Sequence, residues 1–141
     1  GFGSFGELMR KAKKFEKVIV VEPSKYLAET CRKKKLCTIE RSIEKVRDIK
    51  ANVITCFELI EHLFEPKKFL DSCYNILDKN GLLILTTVNI EGFDLLVLKK
   101  KSDNVLAPNH LNYFNIDSLE MLLTKCKFKI LQIETPREIR C

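Results

Sequence analysis

The apolar runs Val18-Ile19-Val20-Val21 and Leu82-Leu83-Ile84-Leu85 do more than any other feature to restrict the fold. Each is strand-sized, and the first, Lys17 to Val21, does not alternate with polar residues and so reads as a strand covered on both faces. Helices supply cover of that kind, and helical patterns lie between the runs. The spacing predicts helices over 7–14, 25–34, 66–77, 91–100 and 117–125, with strands over 17–21, 36–40, 52–57, 82–87 and 128–134. Ser24 is the expected cap of the second helix and Asp117 of the last. Pro66 opens the third helix, and Asp78-Lys79-Asn80-Gly81 is its expected stop. Strands alternating with helices predict an α/β fold, a mostly parallel sheet with helices on both faces. Right-handed crossovers then put the loops at the carboxyl ends of the strands along one edge, where ligands bind. At 141 residues, one domain is expected.

The chain opens Gly1-Phe2-Gly3-Ser4-Phe5-Gly6, and Glu22 ends the first predicted strand. Glycines let a backbone turn tightly and approach a ligand, and an acidic residue at that strand end accepts hydrogen bonds from ribose hydroxyls. This pattern serves a nicotinamide dinucleotide or another adenosine-bearing cofactor equally. A buried strand normally precedes such a turn, so the expectation is a fragment cut just after its first strand.

Composition narrows the classes. No stretch approaches a membrane span, and no signal-peptide pattern opens the chain. The net charge of +6 includes the runs Lys33-Lys34-Lys35 and Lys99-Lys100-Lys101. They are short, scattered and not interleaved with aromatics, which argues for solvated surface and against nucleic acid. Six cysteines without a C-x-x-C pair read as reduced thiols of a cytoplasmic protein and argue against a zinc site.

Glu58, Glu61 and His62 are the sharpest polar constellation. If the chain turns helical after the third strand, positions i, i+3 and i+4 share a face. Two carboxylates and an imidazole so placed are candidate ligands of a divalent ion, the carboxylates favouring Mg²⁺. His110, in a polar segment, is a candidate general base, with Asn89, Asn112 and Tyr113 as candidate acceptor contacts.

Several segments, in order, resemble the class I S-adenosylmethionine-dependent methyltransferases, in particular the group around ubiquinone-pathway O-methyltransferases and small-molecule methyltransferases. They are Gly1-Phe2-Gly3, Val20-Val21-Glu22-Pro23-Ser24, the stretch from Ile54 through Glu58, Glu61 and His62 to Leu63, the stretch from Leu77 to Asn89, and Pro108-Asn109-His110-Leu111-Asn112-Tyr113-Phe114-Asn115. Phe5 stands where that family's third glycine falls, and Val88 where a proline is common. The resemblance implies a Rossmann-like core of seven strands, with the first strand and the last missing from this chain. It implies a partial methyltransferase domain over 1–141 with an acceptor-side insert at about 90–116. It implies S-adenosyl-L-methionine as cofactor, held by Gly1, Gly3, Glu22, Pro23, Ser24, Ser42, Ile43, Phe57 and Glu58, with Ser42 and Ile43 beside the adenine. Catalysis would fall to His110 and His62, with Mg²⁺ on Glu58, Glu61 and His62 orienting and acidifying an acceptor hydroxyl. The implied reaction is methyl transfer to an oxygen, less readily a nitrogen or carbon, of a small molecule such as a sugar or quinone precursor. An NAD(P)-dependent oxidoreductase and a non-catalytic methyltransferase-like binding domain are the alternatives.

Overall fold

The computed structural model describes residues 1–98, 101–102 and 109–135, with Phe93 and Asp94 described by backbone alone. Lys99 and Lys100 of the second basic run, residues 103–108 of the 90–116 insert, and Cys141 lie outside the described residues. The chain forms two compact units, Gly1–Asp48 and Ile49–Cys141.

In the first unit, helix α1 (Ser4–Ala12) starts after Gly3, whose φ of 74° is left-handed. A Cβ at Gly3 would lie 2.7 Å from the Cys31 sulfur, and one at Gly6 would lie 2.9 Å from a Val20 methyl. Both glycines are therefore packing requirements, whatever ligand the turn receives. Strand β1 (Ile19–Val21) pairs in parallel with β2 (Cys37–Ile39), Val20 opposite Thr38. Helix α2 (Lys25–Lys33) connects them, and the Ser24 hydroxyl accepts from the Leu27 amide at 3.5 Å, as expected for its cap. Ala28 and Cys31 carry the buried face of α2. Strand β1 itself is half-buried, because β2 is its sole hydrogen-bonded neighbour among the described residues; cover on both faces was the expectation.

The second unit is built on a parallel ladder of β3 (Ala51–Phe57) and β4 (Leu77–Thr86). Helix α3 (Pro66–Ile76) joins them and buries Phe69, Leu70, Cys73 and Ile76, one helical stripe packed on β4. One sequence expectation needs correction here. Asp78-Lys79-Asn80-Gly81 does not simply stop α3. Ala51 pairs with Leu77 and Val53 with Leu82, so these four residues bulge out of a strand already begun, helped by Asn80 at φ 64°. Strand β4 leaves one face open: Leu82 and Ile84 are exposed, while Cys56 on β3 faces inward.

Helix α4 (Phe93–Leu98) begins two residues after the predicted start at 91, and positions 99 and 100 lie outside the described residues. Helix α5 (Ile116–Lys125) is capped two residues earlier than predicted, by Asn115 rather than Asp117. Asn115 and Ser118 exchange side-chain-to-backbone bonds in a capping box. The predicted strand 128–134 forms no ladder among the described residues. Its alternating pattern finds no strand to pair with, and Leu131 stays 74% exposed.

Candidate functional site

The glycine turn and the acidic strand end come together within the first unit. Glu22 is buried, and its amide continues the β1–β2 ladder by donating to Ile39 O at 3.0 Å. Its carboxylate accepts from the Ser24 amide at 2.9 Å and pairs with the Gly1 nitrogen. Pro23 and Ser24 thus form a short bend between β1 and α2, with one carboxylate oxygen of Glu22 held by the backbone. Ser42 precedes a single 3₁₀ turn, Ile43–Lys45, past the carboxyl end of β2; both Ser42 and Ile43 are partly exposed. A buried carboxylate at the end of β1 with a glycine turn beside it is suited to a ribose and the chain attached to it.

In the second unit, β3 ends at Phe57, and Glu58 takes a left-handed φ of 45°. The predicted helical face over 58–62 does not form. A 3₁₀ turn, Ile60–His62, follows instead. The Glu58 carboxylate accepts from the Thr86 hydroxyl at 2.6 Å, while its amide donates to Thr86 O at 3.1 Å. Glu58 is therefore tied to the end of β4 and does not share a face with Glu61 and His62.

The structure gathers a different set: Glu61, His62 and His110, whose candidate ligand atoms all lie within 4.8 Å of one another. Glu61 is 1% exposed. One of its carboxylate oxygens accepts from the Thr87 hydroxyl at 2.9 Å; the other, Oε1, is buried without a hydrogen-bond partner. His62 Nδ1 lies 2.8 Å from Asn109 O, which fixes it as the donor and leaves Nε2 with the free lone pair. The His110 ring meets His62 edge-on at 4.7 Å and Tyr113 at 5.9 Å between centroids. Main-chain bonds fasten the two segments: Leu111 and Asn112 amides donate to Glu61 O at 2.8 and 3.0 Å, and the Asn112 side-chain amide donates to Leu63 O at 2.7 Å. Asn112 thus acts on the scaffold. Asn89, likewise, uses its side chain to accept from the Glu91 amide in a local turn. Burial and the nearby Glu61 carboxylate push the Cys56 thiol up to about 12.

The expected Mg²⁺ set of Glu58, Glu61 and His62 does not fit this geometry. Glu58 is engaged elsewhere, and the groups that do converge are one carboxylate and two imidazoles, a donor set poorly matched to a hard cation. The sequence points to His110, and to Thr87 as a turn at the carboxyl-end edge, but not to the convergence of His110 with Glu61 and His62 or to the Thr87–Glu61 bond. The model of the methyltransferase domain family matches residues 1–133. The chain belongs to the methyltransferase domain family.

Curated relatives agree. Over 40 residues the domain is 42% identical to a ubiquinone biosynthesis O-methyltransferase of Glaesserella parasuis, covering 28% of this chain and 17% of that protein. Over 81 residues it is 30% identical to a "Probable S-adenosylmethionine-dependent methyltransferase" of Mycobacterium tuberculosis, covering 57% and 28%. Less than a third of either relative's length is therefore spanned. A crystal structure of a Thermotoga maritima SAM-dependent methyltransferase, described as a possible histamine N-methyltransferase, superposes with a TM-score of 0.74 at 27% identity, covering 92% of this chain and 60% of that one. The StiE O-MT structure superposes with a TM-score of 0.54 at 15% identity and covers 92% and 56%, which bears on fold alone. The methyltransferase domain has the Rossmann-like α/β fold of these enzymes, with parallel ladders. No helix among its described residues is long and apolar enough to cross a membrane.

Proposed function

We propose that this chain is one methyltransferase domain, with an acceptor-side insert at about 90–116, and that it transfers the methyl group of S-adenosyl-L-methionine to an oxygen of a small molecule. The observation that carries the reading is the buried Glu22 carboxylate, held by the Ser24 amide beside the Gly1 turn. In this reading Glu22 accepts from the ribose hydroxyls. Gly1 and Gly3 let the backbone approach the methionine part, Pro23 and Ser24 shape the bend, and Ser42 and Ile43 lie along the adenine. Phe57 and Glu58, at the carboxyl end of β3, border the cofactor.

The acceptor reading rests on the second unit. His110 or His62 takes the proton of the acceptor hydroxyl, the free Nε2 lone pair of His62 being the better defined of the two. Displacement at a methyl group needs the acceptor lone pair in line with the sulfur–carbon bond, so positioning supplies much of the rate. The ubiquinone-pathway relatives favour oxygen as the acceptor atom, while the Thermotoga neighbour's description points to nitrogen as the second choice.

Calorimetric titration with S-adenosylhomocysteine and, separately, NADH tests the cofactor. Binding of the first and not the second is expected, and Glu22→Gln should weaken it at least about tenfold, because charge-assisted hydrogen bonds to the ribose are lost. NADH binding would identify an oxidoreductase, and silence towards both ligands a non-catalytic domain.

A further inference from the structure

We propose that the cleft between α3 and the end of α5 binds a small phosphomonoester such as a sugar phosphate. The site is built from residues that neither the cofactor turn nor the histidine cluster uses, and it does not depend on the function proposed above. A cavity of about 360 Å³ opens there, within the range of small-molecule sites, and Lys67, Lys125 and Lys127 all line it. Asp71 is the single acidic residue of the lining, and Lys67 donates to it at 2.6 Å from one turn earlier in α3. That bond, with the Lys127 charge behind it, holds the Asp71 carboxyl below its usual range, so this pair is neutral as a unit at pH 7. Lys125 and Lys127 enter no ion pair among the described residues. Two ammoniums at one mouth repel each other, and an anion of matching charge relieves both. A phosphomonoester carries about −1.5 to −2 at neutral pH.

A lysine in the last turn of a helix ordinarily complements the helix dipole, which accounts for Lys125 alone. Lys127 lies past the end of α5 at φ 68° and reaches across to α3, where its ammonium stands 5.9 Å from the centre of the Tyr74 ring. Phe128 fixes that ring edge-on at 5.6 Å, and Tyr74 is still 43% exposed, so its hydroxyl is open to a ligand. Asn75 adds two side-chain N–H donors, and the Lys50 ammonium, bonded to Asn75 O at 2.9 Å, brings a further positive charge beside the mouth. The cavity has the volume of roughly twelve waters, more than a bare phosphate fills, so the phosphate comes with a body attached. The lining favours a hydroxylated body, because Asp71, Tyr74 and Asn75 all pair with hydroxyl groups. Nucleic acid fits less well: the cations gather in one cleft around one aromatic, without the row of rings on which successive bases stack.

The test is amide NMR titration of the protein with ribose 5-phosphate, inorganic phosphate and ribose at neutral pH and fixed ionic strength. Ribose 5-phosphate should bind with a Kd of about 1 mM or below and move the Tyr74, Asn75, Cys126 and Lys127 amides. Inorganic phosphate should bind at least about threefold more weakly, and ribose should leave these amides still. Lys125→Gln and Lys127→Gln should each weaken binding about threefold, and the pair about tenfold. Lys129→Gln removes the same charge from an exposed lysine outside the lining and should leave binding unchanged, with circular dichroism confirming that all the variants are folded. Four results would each overturn the proposal. They are still cleft amides at about 10 mM ribose 5-phosphate, shifts confined to the Glu22 and Ser24 amides of the cofactor turn, an equal loss in Lys129→Gln, and inorganic phosphate bound as tightly as the sugar phosphate, an adventitious ion only. Tighter binding of a single-stranded oligonucleotide at the same amides would replace it with a nucleic-acid surface.

Discussion

Cys56 shows how burial, with a carboxylate beside it, sets the chemistry of a side chain. The Cys56 thiol is pushed up to about 12 by burial and by the Glu61 carboxylate, from an ordinary value of 9.0. Unfolded chains ionise this thiol near pH 9, while the folded protein keeps it protonated to about pH 12. Its contribution to stability is therefore complete below pH 9 and lost as pH rises through that window, at about 1.4 kcal/mol per pH unit. Denaturant unfolding at pH 8 and pH 10 should show this fall in the native protein and a smaller one in Cys56→Ala. Glu22, the Ser24 cap and the acidic character of position 61 were all legible, because strand ends and caps are written in adjacent residues. The partnership of His62 with Asn109 and His110 was not, because it joins segments far apart in the chain with no shared periodicity. The Glu58 error has a local cause: a positive φ breaks the helical spacing from which a shared face was inferred.

At the level of elements, helices α2 and α5 end in the same way. Past α2, Lys35 takes φ 60° while its amide donates to Arg32 O and that of Leu36 to Cys31 O. Past α5, Lys127 takes φ 68° while its amide donates to Thr124 O and that of Phe128 to Leu123 O. Both are Schellman closures with lysine where glycine is usual, so the backbone carries strain that a side chain makes worse. Lys35→Gly should raise the unfolding free energy by about 0.5–1 kcal/mol, read from the denaturation midpoint. Lys127→Gly should give less, since the Lys127 ammonium stands 5.9 Å over the Tyr74 ring. Asn115→Ala breaks the capping box of α5 and should cost about 1 kcal/mol in the same measurement. Helix existence was readable from periodicity throughout; the failure at 128–134 arose because a strand is defined by its partner, which a single segment does not encode.

For the whole molecule, cofactor binding becomes a stability measurement. Under the proposed function, S-adenosylhomocysteine at about a hundred times its Kd should add about 2.7 kcal/mol to the unfolding free energy, and NADH nothing. Hydrogen exchange should slow most at the Glu22 and Ser24 amides, which surround the proposed ribose ligand.

Glu61 holds the returning segment by its backbone carbonyl, which receives the Leu111 and Asn112 amides, while its side chain serves the cluster. Scaffold and reactivity at that residue are thus carried by different atoms. Under the proposed function, a replacement there would change the acceptor side while keeping the backbone bonds that hold the loop beside it, which leaves the position free to change over evolutionary time.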